Sequence, residues 1–152
     1  LASNNIVAQA LAETSWPGRL EVACREPLMI LDGAHNPHAI KALVETLQER
    51  FADYHKEILF TCIKTKALEY MLDLLETLPD TELTLTHFDD GRATDKEVLK
   101  KVAYSRNLNY KSWQSFLDQS MIDIEEKKTV RIVTGSLYFL SQVRAYLMER
   151  KN

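Results

Sequence analysis

Apolar positions along the chain follow two alternating rhythms. Leu28-Met29-Ile30-Leu31 is a short continuous apolar run of the kind that forms a strand buried on both faces. Ile40, Leu43, Val44, Leu47 and Phe51 then recur at helical intervals, with Asn36 and Pro37 placed as cap and first-turn residue. The alternation repeats. Glu57 to Ile63 predicts a strand, and Leu68, Met71, Leu72, Leu75 and Leu78 predict a helix face that Pro79 ends. Leu83 to Phe88 predicts a third core strand, followed by a helix from about Asp95 to Tyr104 and a short strand near Tyr110. Leu117, Met121 and Ile124 suggest another helix, Thr129 to Thr134 a strand, and Leu137 to Met148 a final helix. Upstream, Leu20 to Cys24 alternates like a strand, and Glu26-Pro27 turns the chain. Ile6, Val7, Ala10 and Leu11 have helical spacing before the breaker Trp16-Pro17-Gly18.

Strands alternating with helices of this length predict βα units and a mostly parallel sheet covered on both faces, an α/β domain of Rossmann-like layering. The 152 residues suit one domain, residues 1–152. With 45% hydrophobic and 27% charged residues, that domain has an ordinary core and surface. Nineteen basic against twenty-two acidic residues give a net charge of -3, which argues against a general nucleic-acid surface. Cys24 and Cys62 are the two cysteines, too few for a disulfide framework or a zinc cluster, so a cytoplasmic home is expected. No apolar stretch approaches bilayer-spanning length, so no membrane is expected as partner. The chain opens at Leu1, which is expected of an excised piece.

Ligands of open parallel sheets bind beyond the carboxyl ends of the strands. Asp32-Gly33-Ala34-His35-Asn36-Pro37 falls there. Gly33 and Ala34 keep the turn small, Asp32 is able to accept from sugar hydroxyls, and His35 is able to donate to a phosphate or carboxylate. The helix entered at Pro37 turns its free N–H groups toward an anion. The plainer reading makes Asp32 and Asn36 turn and cap residues and His35 a surface histidine.

Leu31 to Ala39, LDGAHNPHA, is similar to a signature of the third domain of folylpolyglutamate and dihydrofolate synthases, within the wider Mur ligase group. Trp16 to Glu21, WPGRLE, resembles the family's stretch upstream. Val133 to Leu140, VTGSLYFL, continued by Val143-Arg144, resembles its C-terminal stretch. The resemblance runs from about Pro17 to Arg144 and implies a Rossmann-like, three-layer domain of the Mur ligase C-terminal type. It implies a larger ligase that uses ATP and Mg2+ to join a folate carboxylate to L-glutamate through an acyl phosphate. In such enzymes ATP lies between a central P-loop domain and this one. By match of motif, Arg19 and Asp32 would contact ATP, while His35 and Ser136 would face the reaction centre and help hold glutamate. A catalytic part for His35 is implied more weakly. Ser136 would equally serve as a simple N-cap, and Gly135 would serve the turn.

The family's FG-x-L-ADKD stretch aligns with Phe60 to Ala67, FTCIKTKA, where Thr61, Thr65 and Ala67 replace the glycine and two acids. Asp90-Gly91-Arg92-Ala93 keeps an arginine–alanine pair, with Arg92 expected to brace its loop and contact with the nucleotide as the alternative. No G-x-x-x-x-G-K-[ST] occurs, so the phosphate loop, the magnesium ligands and the folate pocket belong to an absent N-terminal domain. Residues 1–15 would be a helix or linker joining that domain. The fragment alone is expected to be inactive, and the parent a monomer. Two rival readings stand beside this one. One is a non-catalytic α/β interaction module. The other is a small metal-dependent hydrolase using Asp32 and His35, with His38; against it, His55 and His87 read as single histidines. A carboxylate awaiting a ligand is expected to be at least partly exposed, so Asp32→Ala would cost the fold within about 1 kcal/mol.

Overall fold

The computed structural model describes residues 19–122 and 128–151. Six strands and five helices are defined among them. The order is β1 (Glu21–Arg25), β2 (Leu28–Asp32), α1 (Pro37–Arg50), β3 (His55–Phe60), α2 (Leu68–Leu75), β4 (Thr81–Leu85), α3 (Lys96–Arg106), β5 (Asn109–Tyr110), α4 (Trp113–Ile122), β6 (Thr129–Thr134) and α5 (Leu137–Lys151). The strands form one sheet in the order β1-β2-β6-β3-β4-β5. β1 runs antiparallel to β2, and the other neighbours pair in parallel. β6, last in the chain, enters between β2 and β3 and is paired on both edges, over Val130–Thr134 with β2 and Thr129–Thr134 with β3.

Period-two geometry sorts the strand residues between two cores. Leu28, Ile30, Ile58, Phe60, Val130 and Ile132 pack with Ile40, Leu43, Val44 and Leu47 of α1 and with the apolar faces of α2 and α3. Met29, Leu31, Leu59 and Val133 turn the other way, onto Trp113, Phe116 and Leu117 of α4 and Phe139, Leu140 and Val143 of α5. This two-sided burial is why β2 reads as continuously apolar. It also gives the expected three-layer α/β architecture.

Element edges differ from the sequence reading where loop hydrogen bonds outcompete the ladder. β3 starts at His55 and stops at Phe60. The next residues leave the sheet, with Thr94 N–H donating to the Cys62 carbonyl (2.9 Å) and an isolated bridge joining Ile63 and Ala93. β4 spans Thr81–Leu85, and Thr86 N–H still donates to the Phe60 carbonyl at 3.1 Å just beyond it. In α4 the buried positions are Trp113, Phe116, Leu117 and Ser120, and Met121 is 43% exposed rather than part of the core face. The bulky Trp113 and Phe116 set that rotation by packing on α5, with Trp113 edge-on to Phe139 at 5.9 Å. Ile124, the helix over Ile6–Leu11 and the breaker Trp16-Pro17-Gly18 lie outside the described residues.

Candidate active site

The carboxyl end of β2 opens into a cavity of about 560 Å³. Arg19, Asp32, His35 and His38 bring polar chemistry to it, and Ala39, Ala42, Leu43 and Leu137 form an apolar wall. Arg19 and Asp32 thus share one rim with His35. Ser136 does not line the cavity; Leu137, one residue on, does.

Asp32 departs from expectation. It is 6% exposed, where a waiting carboxylate was expected to be partly open to solvent. Its Oδ1 accepts from Ala34 N–H at 2.9 Å and its Oδ2 from Leu20 N–H at 3.0 Å. The second bond holds a residue in an unusual conformation, since Leu20 has φ +50, the left-handed region that a leucine enters at a cost. Asp32 therefore fastens the strained approach to β1 that carries Arg19. Burial pushes its carboxyl above the ordinary 3.8, against the lowering effect of the Ala34 and Leu20 bonds and of the Arg19 charge. Two N–H donors leave part of a carboxylate's acceptor capacity unused, so Asp32 is able to take a ligand hydroxyl as well. The small cost assumed for Asp32→Ala does not follow from this geometry.

His35 is exposed, and its Nδ1 donates to the Gly33 carbonyl at 2.9 Å, leaving Nε2 without a partner among the described residues. Asn36 caps α1, its side chain accepting from Ala39 N–H at 2.8 Å, with Pro37 in the first turn as the pattern predicted. Ser136 is 2% exposed and its hydroxyl accepts from Phe139 N–H at 3.3 Å, an N-cap of α5. Gly135 has φ +117, and a Cβ there would meet the Thr61 carbonyl oxygen at 1.6 Å. The ends of β6 and β3 approach so closely that only glycine fits.

A family model for the Mur ligase glutamate ligase domain matches residues 18–137. The chain belongs to that family. The ligase domain is 34% identical, over 95% of its length, to the dihydrofolate synthase/folylpolyglutamate synthase of Bacillus subtilis (strain 168), and covers 34% of that protein. Among solved structures, the bifunctional folylpolyglutamate synthase/dihydrofolate synthase of Yersinia pestis, complexed with AMPPNP and Mn ion, is 29% identical with a TM-score of 0.73. That match covers 92% of the ligase domain and 33% of the Yersinia chain. A bifunctional folylpolyglutamate synthase/dihydrofolate synthase with Mn, AMPPNP and L-glutamate bound is 29% identical with a TM-score of 0.72, over 88% of this chain and 32% of the other. The ligase domain thus spans about a third of the length of these relatives.

Two of the three similar stretches meet in space. Arg144, after the C-terminal stretch, closes a two-bonded ion pair (2.8 and 3.0 Å) on Glu21, at the end of the upstream stretch. Arg92 braces its loop as expected. It is paired twice with Asp90 (2.8 and 2.9 Å) and lies 3.4 Å over the Tyr138 ring. This holds the Asp90 carboxyl down at about 2.

Sequence reasoning missed the apolar wall. Its signal was present, because Ala39, Ala42 and Thr46 recur at i, i+3 and i+7 as a small-residue stripe beside the buried face of α1. It also misread His55 as single. His55 Nδ1 lies 2.8 Å from Asp80, and Nε2 lies 3.7–3.8 Å from Glu82 and Glu57. Glu57 also pairs with Arg131, 2% exposed, at 3.3 Å. His55 and Glu57 are two apart on β3, but Asp80 and Glu82 reach His55 from 25 or more residues away through strand register, which no local pattern displays. Among the described residues His55, Glu57 and Glu82 are the group whose ligand atoms converge, at the amino ends of β3 and β4. Asp32, His35 and His38 are not among the converging groups of the described residues. No helix among the described residues is long and apolar enough to cross a membrane.

Proposed function

We propose that this chain is the C-terminal domain of an ATP-dependent folylpolyglutamate synthase. In that reading it closes over ATP and helps orient glutamate while the parent enzyme joins glutamate to a folate carboxylate. The observation that carries the reading is the convergence of Arg19 and Asp32 on one cavity at the carboxyl end of a buried parallel strand. The cavity suits a nucleotide. Its volume falls within the usual range for small-molecule sites, about 300–1,000 Å³, with an apolar wall for a base and a few polar groups for orientation. Arg19 supplies a guanidinium for phosphate oxygens or a sugar edge, and Asp32 an acceptor for ribose hydroxyls.

A magnesium cage does not fit this cavity. Asp32 is the one carboxylate among the described residues that line it, and a single carboxylate supplies too few of the oxygen ligands that Mg2+ demands. Mg2+ is therefore assigned to the absent N-terminal domain, together with the phosphate loop and the folate pocket. His35 keeps Nε2 available toward a carboxylate or phosphate, which supports a binding part. Ser136 supports glutamate binding less directly, because its hydroxyl is engaged in the cap. The parent is expected in the cytoplasm as a monomer, with ATP, glutamate and folate as its small-molecule partners.

The test is the full-length parent with ATP, Mg2+, a folate and labelled glutamate. Glutamate incorporation coupled one-to-one to ADP release is the expected result. Incorporation that persists unchanged, at the same ATP dependence, in an Arg19→Ala variant overturns the nucleotide assignment. The 152-residue piece alone is expected to give no turnover.

A further inference from the structure

We propose that a second, cationic pocket on the same rim binds the chain of glutamates already attached to the acceptor folate. The inference rests on the ligase reading above. The pocket, of about 360 Å³, is lined by His87, Lys96, Lys100, Tyr110, Lys111 and Ser112. His87 follows β4, Lys111 and Ser112 follow β5, and Lys96 and Lys100 lie one turn apart on α3. β4 and β5 end, and α3 begins, at the carboxyl edge of the sheet, where the nucleotide cavity also lies. In sheet order β4 is three strands from β2, so the two sites are about 15 Å apart along the rim, at about 4.8 Å per strand.

The lining is held in position by its own backbone. Lys111 N–H donates to the Leu85 carbonyl at 3.2 Å. A carbonyl only accepts, so the 3.0 Å contact between His87 Nδ1 and the Thr94 carbonyl puts the hydrogen on Nδ1. Lys100 Nζ lies 5.6 Å from the centre of the Tyr110 ring, a cation–π placement.

No direct ion pair holds the pocket's lysines among the described residues, although the charge of Glu97 reaches Tyr110. The arginines Arg92, Arg106 and Arg144 each close on a carboxylate at 2.8 Å or less. Lys96, Lys100 and Lys111 have no carboxylate within 4.0 Å among the described residues, and the exposed Glu97 pairs with none of them. Two like charges one helical turn apart repel, a cost that a bound anion relieves. Lysines act as point charges, without the planar fork with which arginine grips a single phosphate. Side chains one turn apart stand about 5–6 Å from each other at Cβ, a spacing that suits successive carboxylates along an extended chain better than one compact anion. A folate that already bears several glutamates presents such a chain at the rim where the next is added.

The experiment compares the full-length parent with its Lys96→Gln/Lys100→Gln/Lys111→Gln variant, using acceptors that bear one or four glutamates. The expected result is that KM for the four-glutamate acceptor rises about tenfold, the sum of three partly solvated ion pairs. KM for the one-glutamate acceptor, KM for ATP and kcat stay unchanged. The matching Lys→Arg variant keeps the charges and is expected to keep the low KM; it also serves if the glutamine variant does not fold. Equal effects on both acceptors, or no effect on either, overturn the proposal. Direct titration of the parent with tetra-γ-glutamate and, separately, pyrophosphate makes the test independent of turnover. Binding of tetra-γ-glutamate that the glutamine variant loses supports the pocket, even if the parent proves not to ligate glutamate to folates. Tighter binding of pyrophosphate, or no binding of tetra-γ-glutamate, overturns it.

Discussion

Replacing Asp32 by alanine removes the acceptor of two backbone N–H groups at once, those of Leu20 and Ala34. A buried donor left without a partner costs about 1–3 kcal/mol. Ala34 is buried and is expected to incur the larger part, whereas Leu20 is half-buried and within reach of water. The sum is about 2–4 kcal/mol, or a drop of about 5–15 °C in Tm for a domain of this size. Leu20 also loses the bond that holds it at φ +50, so it relaxes and takes Arg19 with it. Asp32→Asn keeps one carbonyl acceptor but sets an amide N–H2 against the second donor, and is expected to cost about half as much. Urea denaturation gives the stability, and amide exchange at Leu20 and Ala34 shows whether protection is lost at those two positions. The pH dependence is a second readout. Because burial raises the folded carboxyl above 3.8, the folded state holds a proton that the unfolded chain has released. Stability contributed by this group therefore falls as pH rises from 3.8 through the raised value, and Asp32→Asn flattens that slope. A loss below about 1 kcal/mol in Asp32→Ala, with the Leu20 and Ala34 amides still protected, refutes the clamp. A clamp that also binds nucleotide predicts loss of both stability and ATP use, so a melting scan without an ATP titration does not separate the two roles.

Gly135→Ala places a methyl 1.6 Å from the Thr61 carbonyl oxygen and is expected to abolish folding or cost more than about 3 kcal/mol, whereas Gly91→Ala, with nothing within 4 Å, changes Tm little; expression and melting of the pair check this. Asn36→Ala removes the α1 cap and is expected to cost about 1 kcal/mol by denaturant unfolding. Asp90 is expected to titrate at about 2 by NMR and to return toward 3.8 in Arg92→Gln. The stability that the Asp90–Arg92 pair contributes is thus present above 3.8 and lost as pH falls toward 2. Arg144→Met separates α5 from β1 by breaking the pair with Glu21, and is expected to raise amide exchange across Glu21–Arg25 before it affects the β2–β6 ladder.

What the chain determined locally follows from short-range physics. The run Leu28–Leu31 is a buried strand because four successive apolar side chains are stable only with both faces covered. Asn36-Pro37 starts a helix because cap and fixed φ are properties of those residues. The stretch Asp32–Pro37, after such a strand and before such a helix, marked the site, and the resemblance added Arg19 to it. The tertiary structure decided what depends on neighbours distant in sequence. Asp32 became a buried clamp because Leu20, twelve residues upstream, needed an acceptor there. Ser136 turned its hydroxyl into the helix it caps, and Leu137 faced the cavity in its place. Gly135 became irreplaceable because β6 was inserted beside β3, bringing the Thr61 carbonyl onto it. His55 met Glu57, Glu82 and Asp80, and Lys96 and Lys100 met Lys111, through strand order and helix rotation. Period and propensity describe residues a few positions apart; which strand lies beside which is settled only when the two cores are packed together.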